Sequence, residues 1–473
     1  MRSKRLIAAA PFLLGVALAG CSSTPKKLPV VDAPSHFDNI PADWSEAAPA
    51  DTASRGPWWT AFNDAVLDDL ETRADAASPT LAAALARRDE ARAVLGETAA
   101  ALVPEVDGVG AAERQRMAKD RPQTTGKAVT YNEYTAGAQL NYEVDLWGRV
   151  RNEVRAAKSE ARATEADLAS VKLSLQASVA DAYVRLRGLD AEADLLSRSV
   201  DAYKKAYDLT RLRHAGGVVS GLDENRAKTV LYNARALAVD VADQRTRTEH
   251  ELAAMVGVPS SGFHVAAVAQ LTTAPAVPVG TPSTLLQRRP DIAAAERRVA
   301  ESNARIGAAH AALFPTITLG AGAGFQTTGP AFLSQQNTFW ALGPLGLNLP
   351  IFDGGKRLAA VRLARAQFDE NAANYKTTVI TAFREVEDSL TDARVLANEV
   401  AEQKIGVEAA QATTKLSLIR YREGAADYLE VVTAQTDELN AERSLLAVQT
   451  RVSQASVSIV RALGGPVNER PAG

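Results

Sequence analysis

The sequence predicts a mainly α-helical fold carrying two β-hairpins, with one structural unit used twice. Three observations predict it: motifs that recur at a near-constant offset, long heptad runs without proline, and stretches of two-residue alternation. Ser78-Pro79-Thr80-Leu81 recurs as Arg289-Pro290-Asp291-Ile292, and Leu102-Val103-Pro104 as Leu313-Phe314-Pro315. Both lie about 211 residues on, far beyond the roughly 20–50-residue period of solenoid arrays. From there the offset falls to about 207 and holds, pairing Trp147-Gly148-Arg149 with Gly354-Gly355-Lys356, Gly217 with Gly424, Asp223 with Glu430 and Gly257 with Gly464.

At the N-terminus, residues 1–20 form a secretory signal peptide. A basic segment, Met1–Arg5, precedes an apolar run from Leu6 to Ala17, which is too short to span a bilayer. Leu18-Ala19-Gly20-Cys21 looks like a bacterial lipobox, with cleavage before Cys21 and a lipid on its new amine (N-acyl) and its thiol (S-diacylglycerol). The plainer alternative is an ordinary signal with an incidental cysteine. Several acyl chains would anchor stably where one binds only marginally, and Ser22 resembles the residue found in lipoproteins sorted to the outer membrane. Residues 21–57, rich in Pro, Ser and Asp, form an aperiodic tether. Cys21 is the only cysteine, so an intrachain disulfide is impossible.

The first repeat spans 58–258. After the short amphipathic stretch Trp58–Ala76, a helix runs from Pro79, well placed as a first residue, to about Val103, and Pro104 stops it. Strands follow at 105–117 and 131–146, then a long helix at 150–214 and a return helix at 222–256. A Pro- and Thr-rich inter-repeat linker occupies 259–282. The second repeat, 283–465, has a first helix, strands at 316–326 and 338–352, a long helix at 355–422 and a return helix at 427–463; 466–473 is a tail.

Alternation is clean in the second strand, where Tyr134, Ala136, Ala138, Leu140 and Tyr142 share one face and Glu133, Thr135, Gln139, Asn141 and Glu143 the other. In the third, Ile317, Leu319, Ala321, Ala323 and Phe325 alternate with Thr and Gly. In the fourth, Phe339, Ala341, Leu345, Leu347, Leu349 and Ile351 are expected to carry the apolar face, with Pro344 awkwardly inside the strand. Alternation alone fits two soluble hairpins equally well. Three features favour membrane strands. Each reaches the roughly 9–11 residues needed to cross a bilayer at a tilt. Tyr131, Tyr142, Trp147, Phe314, Phe339, Trp340 and Phe352 gather near strand ends like an interfacial girdle. The lipid anchor already implies a membrane. Four strands cannot close a barrel, since bacterial single-chain examples begin at about eight, and open edges are not tolerated in lipid. Spanning strands therefore require oligomerisation.

Leu168, Leu175, Ala182, Leu189, Leu196 and Tyr203 recur every seventh residue, interleaved with Val179, Leu186, Ala193, Val200 and Tyr207. This is a heptad seam of supercoiled helices, and a plain coiled coil is its simpler reading. About 65 residues make a helix near 100 Å long, which the shorter first and return helices nearly match end to end. The linker and Trp58–Ala76 are expected to fill the break as a collar.

Acidic and basic residues nearly balance, with a net charge of −3, so no nucleic-acid partner is implied. The five histidines are scattered, His250-Glu251 lacks a second metal-ligating histidine, and Gly320–Gly324 lies in a strand without a phosphate-loop lysine. No catalytic residue, metal site or cofactor beyond the Cys21 lipid is expected.

Arg288–Arg298, Asn303–Gly307, Ala311–Pro315, Leu349–Gly355 and Tyr421-Arg422-Glu423-Gly424 with Tyr428-Leu429 resemble the TolC/NodT-type outer-membrane factors, as does Trp58-Trp59 followed by Phe62, Asp64, Leu67 and Leu70. The resemblance covers about residues 30 to 465. It implies a homotrimer whose twelve-stranded outer-membrane β-barrel continues as a periplasmic α-helical barrel in a Gram-negative cell. It also implies outer-membrane lipid around the barrel, a periplasmic adaptor and an inner-membrane resistance-nodulation-division transporter as partners, and efflux of drugs or other small solutes. Type I secretion is the family's other use; a periplasmic adaptor lipoprotein is the rival class. The family's periplasmic gate falls on the helical turns, which points to Leu429 and Glu430, with Asp427 and Asp223 as further candidates. Carboxylates at helix starts are also favourable caps, worth about 0.3–1 kcal/mol through the dipole, and both readings stand.

Overall fold

The structure, a computed structural model, describes residues 56–120, 126–271, 288–329 and 334–465. The signal peptide, Cys21, nearly all of the tether, the linker beyond residue 271 and the tail lie outside the described residues. A 3-10 turn at Trp58–Phe62 leads into α1 (Ala65–Ala77) and α2 (Pro79–Ala100), then β1 (Glu105–Met117), β2 (Val129–Glu143), α3 (Arg149–Ala215) and α4 (Gly221–Val256). The second copy runs α5 (Pro290–Ala311), β3 (Thr316–Thr327), β4 (Thr338–Asn348), α6 (Lys356–Arg422) and α7 (Tyr428–Ala462).

Two strands are shorter than the alternation suggests. β2 ends at Glu143 rather than 146, and β4 at Asn348 rather than 352. An aspartate follows each strand and turns the chain into the next helix. Asp145 accepts from the amides of Val150 and Arg151 at 3.2 and 2.9 Å, and Asp353 from those of Gly355 and Arg357 at 2.9 and 3.2 Å. Such capping satisfies amides that a helix start leaves without partners.

The chain divides into two compact units. The first holds Arg88–Thr164 and Ala295–Lys376, and its centre is one antiparallel sheet of four strands in the order β1-β2-β3-β4. Gly137 and Gly324 sit opposite each other; a Cβ on Gly137 would lie 2.5 Å from the Ala323 carbonyl oxygen, so β2 and β3 need glycine there. The helices of this unit pack Val299 and Ile306 against Ala364 and Phe368.

Register corrects the predicted face of β4. Leu347 and Leu345 pair with Ile317 and Leu319, but beyond a bulge Leu342 and Trp340 pair with Ala321 and Ala323. The extra residue falls at Gly343-Pro344, joined by a cis peptide bond. A bulge shifts the two-residue period by one. Leu342 and Trp340 therefore share the apolar face, whereas Phe339 and Ala341 turn to the other. Strict alternation had no means of placing that slip.

The second unit holds Glu165–Ala294, Thr377–Gly473 and the described residues up to Arg87. Here the heptad residues Leu175, Val179, Ala182, Leu186, Leu189, Leu196 and Tyr203 are buried, and so are Val379, Ala382, Val386 and Leu396 of α6. Gly188, the single glycine within α3, faces Thr450 of α7, whose Oγ1 would stand 2.6 Å from an added Cβ. Trp58, Trp59, Phe62, Leu67 and Leu70 enter the same apolar cluster as Val179, Tyr183, Leu252, Phe263 and Val265. The N-terminal stretch and the start of the linker thus cover one common core.

Candidate functional site

The sheet separates its chemistry by face. One face carries Val106 of β1, Tyr134 to Tyr142 at even positions of β2, Leu319 to Phe325 at odd positions of β3, and Trp340, Leu342, Leu345 and Leu347 of β4. Trp340 is 82% exposed and Leu342 79%. The other face carries Glu105, Asp107, Glu113, Gln115, Glu133, Gln139, Asn141, Glu143 and Gln326. A concavity of about 1040 Å³ opens on this polar side, lined by Glu97, Gln139, Glu143, Arg149 and Phe339 among others. A protein surface rarely exposes so continuous an apolar patch without a partner or a membrane to cover it.

The aromatic residues proposed for the membrane interface divide accordingly. Tyr142 and Trp340 lie on the apolar face. Tyr131 lies on the polar face, where the Gln115 side-chain amide donates to its hydroxyl at 2.6 Å and to Glu133 at 2.7 Å. Phe339 also faces that side, opposite Gly324. Trp147 stacks on Phe314, 4.9 Å between centroids, and donates its indole N–H to the Pro315 carbonyl at 2.7 Å. Phe352 lies beyond β4 and is 91% exposed.

At the helical turns the two copies differ. Ser220 caps α4 by accepting from the Asp223 amide at 3.4 Å, and Arg226 approaches the Asp223 carboxylate at 3.6 Å. Asp427 caps α7, accepting from the Glu430 amide at 3.0 Å. Glu430 points away from that cap and accepts from Arg420, at the end of α6, at 2.9 Å. Leu429 is 45% exposed. Asp427 is thereby occupied by backbone, whereas Leu429 and Glu430 present side chains outward.

Beneath these turns the motif residues Tyr421 and Tyr428 form a cluster with partners that the sequence did not connect to them. Tyr421 and Tyr428 meet edge to face at 5.2 Å, packed on Ala227 and Val431, and the Arg213 guanidinium lies 5.0 Å from the Tyr421 ring centroid. Burial pushes the Tyr428 hydroxyl up to about 12. Arg213 and Arg420 are equivalent at the 207-residue offset, yet one covers a ring and the other holds Glu430, a difference that the repeat does not signal. The cluster joins α3 and α4 to α6 and α7 at their ends.

Further along the second unit, four charged residues clip the linker to the helices. Arg187 donates to Asp190 at 2.9 Å and to the Ala266 carbonyl at 2.7 Å; Arg245 donates to Asp190 at 2.6 Å and to the Val265 carbonyl at 2.7 Å. Glu249 accepts from the Val265 amide at 2.9 Å. Burial alone would raise the Glu249 carboxyl, but that amide and Arg245 outweigh it and hold it below the usual range. Among the described residues no group of three or more potential ligands could hold a metal ion, and no helix is long and apolar enough to cross a membrane.

The chain matches the family described as outer membrane efflux protein over residues 71–258 and 281–465. It is 32% identical to the toluene efflux pump outer membrane protein TtgC of Pseudomonas putida, over 97% of this chain and 94% of the relative. Identity to the pyoverdine export outer membrane protein OpmQ of Pseudomonas aeruginosa is 31%, over 95% of this chain and 94% of that protein. Among solved structures, the outer-membrane channel OprN superposes with a TM-score of 0.86 at 28% identity, covering 94% of this chain and 99% of OprN.

Proposed function

Since the chain belongs to the outer membrane efflux protein family, we propose that three copies close their sheets into one twelve-stranded barrel. The protein is an outer-membrane exit duct of a tripartite efflux system, with its helical part in the periplasm. The observation that carries the trimer is the open sheet. A four-stranded sheet with an exposed apolar face leaves β1 and β4 as unpaired edges, and lipid does not accept unpaired backbone. Pairing each edge with a neighbouring chain closes the ladder, and the polar face then lines the duct.

A lipid on Cys21 tethers the N-terminus to the same membrane. A periplasmic adaptor and an inner-membrane transporter of the resistance-nodulation-division type deliver the cargo and supply the energy. The duct performs no reaction of its own. Relatives named for toluene and for pyoverdine differ widely in what they export, which fits a passage that takes small solutes and leaves selection to the transporter.

Leu429 and Glu430 form the periplasmic constriction in this reading, with Arg420 holding Glu430. Planar-bilayer recording tests it. Leu429→Ala with Glu430→Ala should raise resting conductance; unchanged conductance and ion selectivity would remove both residues from the gate. Heat-modifiable trimers in outer-membrane fractions test the assembly, and a protein that is monomeric there would refute the closed barrel.

A further inference from the structure

The apolar face of the sheet ends in two arginines. Along β1, Val106, Gly108, Gly110 and Ala112 occupy that face, and the unbroken register then places Arg114 and Arg116 on it, opposite Asn132 and Thr130. Both arginines are exposed, and among the described residues neither guanidinium has a hydrogen-bond or ion-pair partner. No carboxylate of the four strands lies on their side. Glu105, Asp107, Glu113, Glu133 and Glu143, the carboxylates of β1 and β2, all fall on the opposite face, and β3 and β4 carry no charged residue.

Position along the strand supplies the second observation. From Val106 to Arg114 and Arg116 the strand advances roughly 26–33 Å, or about 20–25 Å along the membrane normal at the usual tilt of about 40°. The lipid-facing band of such barrels is about 25 Å tall. The arginines therefore emerge where hydrocarbon gives way to headgroups, at the strand ends remote from the helices. An unpaired guanidinium is strongly disfavoured at the bilayer centre and nearly neutral at its boundary. At that boundary its planar fork matches phosphate oxygens.

We propose that Arg114 and Arg116 bind the phosphate of an anionic, phosphate-bearing lipid of the outer leaflet. Their spacing of two residues places both forks on the same side, about 7 Å apart, within reach of one headgroup. The inference rests on the reading that the strands span the membrane.

The test uses the full-length protein in phosphatidylcholine nanodiscs doped with lipid A or with enzymatically dephosphorylated lipid A, and counts retained lipid by native mass spectrometry. Wild type should retain lipid A, and Arg114→Gln with Arg116→Gln should retain it roughly tenfold less or weaker. Arg247→Gln, on an exposed helix surface, should behave as wild type. Equal retention by wild type and the double variant overturns the inference. So does equal retention of the dephosphorylated lipid, or displacement of lipid A by inorganic phosphate at the same concentration, which would indicate a site for the free ion. Heat-modifiable mobility of the same proteins reads spanning separately. A heat-modifiable double variant that keeps its lipid A sinks the arginine inference alone, whereas a wild type that never forms heat-modifiable trimers sinks the spanning reading.

Discussion

Glu71 is fully buried on α1, and among the described residues neither of its carboxylate oxygens has a hydrogen-bond partner. Burial, reinforced by Asp75 and Asp68, pushes its carboxyl up to about 9, against the opposing pull of Lys172. The unfolded chain loses this proton near 4.5 and the folded chain near 9, so between those values the folded state binds more protons. Stability therefore falls as pH rises through that window and levels off above it. At neutral pH the penalty is roughly 3 kcal/mol. Glu71→Leu should raise the thermal midpoint at pH 7 and flatten its decline between about pH 5 and 9; a variant that declines as steeply as wild type would show that another group carries the effect. Asp427 offers the opposite case, a carboxylate fully used. Asp427→Ala should destabilise the α7 start by about 1 kcal/mol. Glu430→Ala should change stability by less, because its partner Arg420 is half exposed and such pairs are worth about 0–1 kcal/mol. Hydrogen exchange at the first turn of α7 separates the two.

At the scale of elements, close approach sets what the chain can vary. Gly257 ends α4 at φ +79°, and an added Cβ would press on the Ala77 carbonyl at the end of α1, with Pro79 Cδ 3.2 Å away. Gly257→Ala should therefore cost more than the roughly 1 kcal/mol of a left-handed alanine, read as a lower midpoint and earlier proteolysis at α1. A stability within about 0.5 kcal/mol of wild type would mean that α1 can shift freely. The duplication makes Gly464 its counterpart, also at positive φ and packed against Arg289. That equivalence was legible in the sequence, because motif spacing survives wherever two helices must meet in register. Helix existence was legible for the same reason: buried heptad positions such as Leu175, Leu189 and Leu196 repeat with the helical period. Three features were not. The bulge at Gly343-Pro344 changes which face Trp340 and Leu342 occupy, and no periodicity encodes a slip. The fall in offset from about 211 to about 207 lies between Pro104 and Gly148, inside the strand hairpin, and points to the loop Ala118–Thr130 being longer than its counterpart Thr327–Asn337. The segments between the strands, 118–128 and 328–337, differ by only one residue in length, however, and most of the difference lies between the 15-residue β2 and the 11-residue β4. The Arg213–Tyr421 contact joins residues far apart in sequence, so only folding brings it into view.

For the molecule as a whole, the decisive question is what covers the apolar face. In one chain Leu342 is 79% exposed, and on a water-facing surface replacing such a residue changes stability by about 0.5 kcal/mol or less. Against lipid the outcome differs. An arginine near the midplane of a barrel's outer face is destabilising by about 2–4 kcal/mol, and the effect fades towards the interfaces. Leu342 lies within the apolar band, between Trp340 and Leu345 on the same face of β4. Leu342→Arg should thus deplete folded, heat-modifiable protein from outer-membrane fractions. Gln139→Arg, which replaces an exposed residue on the polar face, should insert normally and alter only the conductance and selectivity of the duct. If the two variants insert equally well, the sheet is water-covered on both faces and cannot be the wall of a membrane barrel. If Leu342→Arg alone fails, the lipid side of the sheet is assigned. Unpaired edges at β1 and β4 are then untenable in that solvent, and closure by neighbouring copies follows from the same measurement that located the lipid.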